Sequence, residues 1–264
     1  MKRISLALLA FAMSAVGASA ADMAARPYTK APVAPLPAVS WTGCYLGANV
    51  GYGWSDKDFY VPLTDPFTPG ALLASHSASG VVAGGQIGCD YQFGGKWVVG
   101  IQGMGDWSNI KGASPIIGNP VAEYATHIRS FVTATVRLGW LATPNLLLYG
   151  KAGIGWVDDH FDQNRNVAAP GLPVGRYAYA DATRSGLALG VGGEYLISNN
   201  WSVFAEYNYI NLGGTKSTTF VSTALSPLGA GRLFDVDVRQ PDLQVVLIGL
   251  NYRFNMAGPV VAKY

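Results

Sequence analysis

Residues 244–254 read QVVLIGLNYRF, and their side chains alternate in character. Val246, Ile248, Leu250, Tyr252 and Phe254 fall on one face of an extended chain, and Gly249, Asn251 and Arg253 on the other, because successive residues of a strand point to opposite sides. Large apolar and aromatic groups backed by glycine and charge fit a strand with lipid on one side and a polar lumen on the other.

The same period of two recurs upstream. Leu148, Ala152, Ile154 and Trp156 oppose Tyr149, Lys151, Gly153 and Gly155; Leu187, Leu189, Val191 and Tyr195 oppose Ala188, Gly190, Gly192 and Glu194; Trp201, Val203, Ala205, Tyr207 and Tyr209 oppose Ser202, Glu206 and Asn208. Eight segments carry strand signals, at approximately residues 41–54, 79–93, 96–108, 128–141, 145–158, 183–198, 200–212 and 239–254. The fold class expected is all-β: an eight-stranded antiparallel up-and-down transmembrane β-barrel behind an N-terminal signal peptide.

The connections alternate in length. Short turn-forming breaks at Gly94 and Gly95, at Pro144 and Asn145, and at Asn199 and Asn200 separate stretches of some twenty residues that hold most of the remaining Pro and Ser. Barrels of the outer membrane keep short turns in the periplasm and long loops outside, so both termini are expected in the periplasm. All seven tryptophans fall near expected strand ends: Trp41, Trp97, Trp140 and Trp201 at the short-turn side, Trp54, Trp107 and Trp156 at the loop side. Indole favours the headgroup zone, which makes these residues an expected aromatic girdle.

The rest of the chain agrees with export. Lys2 and Arg3 precede an apolar run and then Ala18, Ser19 and Ala20, the pattern of a secretory signal with a small-residue cleavage site. Residues 1–20 are read as that signal, residues 21–40, with Pro27, Pro32, Pro35 and Pro37, as a periplasmic tail, and residues 41–264 as the barrel. Charged residues make up only 13% of the chain and mean hydropathy is +0.21, against roughly 25% charged in soluble domains. Losing Lys2 and Arg3 takes the 18 basic residues to 16, matching the 16 acidic ones. That neutrality gives no footprint for nucleic acid.

The stretches WTGCYLGANVGYGW at 41–54, GGQIGCDYQF at 84–93 and LNYRFNMAGPVVAKY at 250–264 resemble the small outer-membrane immunogenic proteins of alphaproteobacteria, a porin-like family within the OmpA-type barrel superfamily. The last segment also resembles the assembly signal of outer-membrane barrels, carried by Gly249, Tyr252 and Phe254. Leu247 departs from that pattern, where a polar residue is usual, and ten residues follow Phe254, ending in Tyr264. The resemblance implies residence in the cell outer membrane, with outer-membrane lipid and lipopolysaccharide around the barrel and the barrel-assembly machinery as a partner during insertion.

The chemistry-bearing residues are few. GVGGEY at 190–195 lies in a strand and lacks the following helix of a phosphate loop. His76, His127 and His160 are far apart and placed in or beside external loops, so no metal, cofactor or catalytic group is expected. A triad of His127, Ser130 and Glu123 is opposed by strand parity, which sends His127 and Ser130 to opposite faces. The inward-facing charges Asp90, Asp106, Arg137, Lys151, Glu194, Glu206 and Arg253 should pair as an ionic plug, since eight strands leave only enough interior for side chains to fill and an unpaired buried charge is costly. Cys44 and Cys89 sit near the same ends of paired strands in an oxidising compartment; a cross-strand disulfide and two lipid-facing thiols are both open. The function expected is structural, with a small-solute porin as one alternative. The other is a surface-binding protein that uses loop residues Tyr60, Phe67, Tyr124, Phe161 and Tyr177.

Overall fold

The computed structural model of the chain describes residues 40–168 and 172–255. The expected signal peptide, the tail as far as residue 39 and Tyr264 lie outside the described residues. The strands are β1 (Gly43–Tyr60), β2 (Leu72–Phe93), β3 (Trp97–Ile116), β4 (Asn119–Thr143), β5 (Leu146–Arg165), β6 (Gly175–Leu196), β7 (Trp201–Ser222) and β8 (Leu233–Asn255). Each pairs antiparallel with the next, and β1 closes the ring on β8. Closure removes the free edge, so along the continuous stretches of each ladder backbone polar groups are satisfied between strands, as hydrocarbon requires.

The closing seam shows how side chains fix the register. Leu46 stands opposite Tyr252 and Val50 opposite Ile248, apolar cross-strand pairs on the outer wall of the kind that stabilise a sheet. The outer band continues through Ile87, Ile101, Val136, Leu148, Val191 and Val203, all exposed. Trp97 and Trp107 bound it on β3; ten residues at ~3.3 Å rise and ~40° tilt give about 25 Å, the height of an apolar membrane band.

Beyond this band the strands run on, and the loop-side connections shrink to residues 61–71, 117–118, 166–174 and 223–232. The stretches of some twenty residues expected as loops are therefore largely strand. Their outward positions carry Ser75, Ser77 and Ser79 on β2 and Asp158, His160 and Asp162 on β5. A strand with a polar outer face loses the hydropathy contrast of a lipid-facing one and reads as loop. His76, His127 and His160 consequently lie in strands. Tyr124, Phe161 and Tyr177 point away from solvent, whereas Phe67 is 88% exposed on the first loop.

A register shift between Ile128 and Ser130 on β4 also changes the parity. Tyr124, Thr126 and Ile128 are buried before it, and Phe131, Thr133, Thr135 and Arg137 after it, since one extra residue turns every later side chain to the opposite face. His127 and Ser130 thus share the outward-facing set, and the parity argument against their pairing fails.

The lumen is filled in layers. An apolar set of Trp41, Val98, Leu141, Leu147 and Leu196 closes the short-turn end. A middle set includes Met104, Ile110, Phe131, Phe204, Ile210 and Leu247. Phe59, Tyr124, Phe161, Phe220 and Val238 close the loop end, with Phe59 stacked on Tyr124 at 4.7 Å between centroids. The interior is thus apolar as well as charged, beyond what the small-residue face implied.

Candidate functional site

Between the short-turn set and the middle set lies a ring of four charges, one from each even-numbered strand. Asp90 on β2 accepts hydrogen bonds from Arg137 Nε at 2.7 Å and from Arg137 Nη2 on β4. Arg137 Nη1 donates to Glu194 Oε2 on β6 at 3.0 Å. Glu194 Oε1 accepts from Arg253 Nη1 on β8 at 3.0 Å, and Arg253 Nη2 returns to Asp90 Oδ2 at 2.7 Å. All four side chains are at most 2% exposed. Alternating signs let each ion touch two of opposite charge, the condition under which buried charge is tolerated.

The odd strands supply the packing around this ring. The Arg137 guanidinium lies 4.9 Å from the ring centroids of both Tyr45 on β1 and Tyr149 on β5. Arg253 lies 4.8 Å from the Trp41 ring and 5.2 Å from Tyr45. Each such contact adds attraction through the aromatic quadrupole. Trp41 is therefore a lumen residue rather than a member of the girdle: it is 0% exposed, and its Nε1 donates to the Pro144 carbonyl at 3.0 Å. It has the inward parity of Tyr45, and its ring packs against the Arg253 guanidinium inside the lumen. Trp97, Trp107, Trp140, Trp156 and Trp201 are all exposed on the outer wall, Trp107 at 75%, and Trp54 is half-buried there against Tyr207.

Polar side chains extend the ring upward. Ser202 and Asn251 donate to Glu194 Oε1 at 2.6 and 3.0 Å. Gln102 bridges Gln86 and Lys151, and Lys151 Nζ donates to Glu206 Oε1 at 2.8 Å, beside Tyr149 Oη and Asn208. Asp106 is brought inward beside Asn49 but not into an ion pair, and the hydroxyls of Thr133 and Thr135 are buried without hydrogen-bond partners.

Inward glycines are filled by their neighbours. A Cβ at Gly192 would stand 2.8 Å from Tyr149 Cζ, one at Gly190 2.7 Å from Lys151 Cε, and one at Gly100 would strike the Asp90 carboxylate. Glycine is required there because ring side chains lie flat on the wall. At Gly249 the occupant is the Phe204 ring, while Tyr252 and Phe254 face outward.

Lys57, Asp159 and Arg184 form a second buried charge cluster that sequence reading missed. The first expected segment stops at Trp54 and the sixth begins at residue 183, which puts Lys57 in an expected loop and Arg184 at a strand end. Continued alternation through Ser55, Lys57 and Phe59 was the available signal. Cys44 stands opposite Cys89 with Cα atoms 3.9 Å apart, joined as a disulfide on the outer wall.

A family model, the outer membrane protein beta-barrel domain, matches residues 6–254. The chain belongs to that family. This outer-membrane barrel is similar to the 31 kDa outer-membrane immunogenic proteins of Brucella melitensis and Brucella suis, at 31% identity over 96% of this chain and 100% of theirs. Among solved structures it is similar to OprG of Pseudomonas aeruginosa, at 17% identity and TM-score 0.43, covering 81% of this chain and 97% of that one. It is also similar to the outer membrane protease OmpT of Escherichia coli, at 11% identity and TM-score 0.49, covering 80% and 97%.

Proposed function

We propose that this outer-membrane barrel is a closed, non-conducting element of the envelope, anchored by its outer wall and plugged by its lumen. The observation that carries the reading is the ring of Asp90, Arg137, Glu194 and Arg253, which ties four walls together at one level. A hydrated ion would have to break two charge pairs to pass, and the apolar layers on either side offer it no replacement for its water. Short turns face the periplasm and the longer connections face outside. Outer-membrane lipid and lipopolysaccharide contact the outer band, and the barrel-assembly machinery reads β8 through Gly249, Tyr252 and Phe254. We take the barrel as non-enzymatic: His127 Nε2 is buried without a hydrogen-bond partner, so it is not poised against Ser130.

Planar-bilayer recording on the purified barrel tests this. No steady conductance steps are expected from the native protein, and regular steps of one size would overturn the reading in favour of a channel. The double variant Arg137→Ala, Arg253→Ala serves as the positive control, because it removes both cations of the ring.

A further inference from the structure

Lys57 on β1, Asp159 on β5, Arg184 on β6 and Gln240 on β8 make a second polar layer in the lumen, each at most 1% exposed. Ile110, Ile128, Val157, Ile210 and Leu243 lie on one side of it and Phe59, Phe161 and Phe220 on the other. Lys57 Nζ donates to Asp159 Oδ1 at 2.6 Å. Arg184 donates through Nη1 to the Gly214 carbonyl at 3.3 Å and through Nη2 to the Val238 carbonyl at 3.1 Å.

These bonds leave the layer unbalanced. Two cations meet one carboxylate, with Arg184 Nε 4.0 Å from Asp159 Oδ2. Asp106 and the ionic ring lie beyond the Ile110 layer, and His76, opposite Lys57, is engaged by the Thr126 hydroxyl at 3.1 Å. Arg184 Nε, Asp159 Oδ2 and both amide atoms of Gln240 are buried without hydrogen-bond partners. The Lys57 ammonium also has donors beyond the one given to Asp159. Asp159 Oδ2 and Gln240 Oε1 are acceptors, but the N–H groups that Lys57, Arg184 and Gln240 leave unused outnumber them, and with one positive charge uncompensated the site calls for an acceptor that carries a negative charge.

We propose that this layer binds a halide-sized inorganic anion, held by Lys57, Arg184 and Gln240. The layer sits against the widest register break of any ladder among the described residues. β6 and β7 pair at Tyr179 with Val221 and next at Leu187 with Asn211, and Gly213 and Gly214 on β7 take positive φ of 79° and 88° within the break. An interrupted ladder opens at lower cost than a continuous one, and this break is the anion's route from the loop end of the wall.

The test uses the purified full-length barrel in detergent at constant ionic strength, with chloride as the probe and gluconate as the bulky control anion. Excess chlorine-35 line width that saturates with chloride and is displaced by bromide is expected. Gln240→Leu, which removes amide donors without changing charge, should weaken chloride binding at least tenfold while heat-dependent gel migration stays native. Arg184→Gln should abolish binding. No excess line width in the native barrel would overturn the site, as would equal unfolding midpoints in chloride and gluconate, which means that water alone fills it. Line width unchanged in Gln240→Leu would place the anion elsewhere and overturn it as well.

Discussion

Arg253 Nη2 lies 2.7 Å from Asp90 Oδ2 across 163 residues of sequence, and this contact closes the ionic ring next to the seam where β8 meets β1. The strand that closes the ring on β1 thus also carries the guanidinium that closes the plug.

Arg253→Ala should consequently destabilise the folded barrel by about 3–5 kcal/mol, because Asp90 and Glu194, both fully buried, each lose a counter-ion. Denaturant unfolding in lipid vesicles, followed by tryptophan fluorescence, measures the change. An unchanged midpoint would show that the ring contributes no net stabilisation.

The glycines give a paired prediction. At Gly100 an added Cβ strikes the Asp90 carboxylate and stands 2.8 Å from the Cys89 carbonyl, whereas at Gly103, on the outer wall, its nearest neighbour is Ile87 Cγ2 at 3.9 Å. Gly100→Ala should lower the unfolding free energy by an amount on the order of 1–3 kcal/mol, and Gly103→Ala should leave it unchanged or raise it slightly. Equal effects at the two positions would contradict the filled wall.

Cys44 and Cys89 close a loop with a sequence separation of 45, for which chain entropy allows up to about 4 kcal/mol of stabilisation. Intact-protein mass should rise by two hydrogens on reduction under denaturing conditions, and the reduced barrel should melt at lower temperature while remaining folded. An unchanged mass would mean two free thiols on the outer wall.

His76 lies on β2 past Val81, where the outward neighbours Ser75, Ser77 and Ser79 mark the strand as outside the apolar band. Burial, reinforced by the nearby Lys57 ammonium, pushes its imidazole down to about 4. An unfolded histidine titrates near 6.5, so below that pH the unfolded chain takes up a proton that the folded one refuses. The stabilisation is full above about 6.5 and is lost as pH falls toward 4. Proton NMR of the His76 ring should give a midpoint near 4 in the folded barrel, and a midpoint of 6 or above would exclude the half-buried neutral ring stacked on Phe59.

Alternation at Leu148, Val191, Val203 and Ile248 was enough to specify an eight-stranded membrane barrel, because lipid contact imposes one chemical character on every second residue across the band. The inward placement of Asp90, Arg137, Glu194 and Arg253 followed from the same parity. Which ion meets which did not: Asp90 faces Gly100 and Gly43 across its ladders, and its arginines arrive from strands that are not its neighbours. That pairing depends on side chains crossing the lumen, and strand period carries no information about it. Beyond the band, Lys57, Asp159 and Arg184 were hidden because solvent imposes no alternation on an outer wall, and the bulge at Arg129 reversed the faces of β4. Local patterning decided the cylinder and its lipid surface; only closure of the ring decided what fills it.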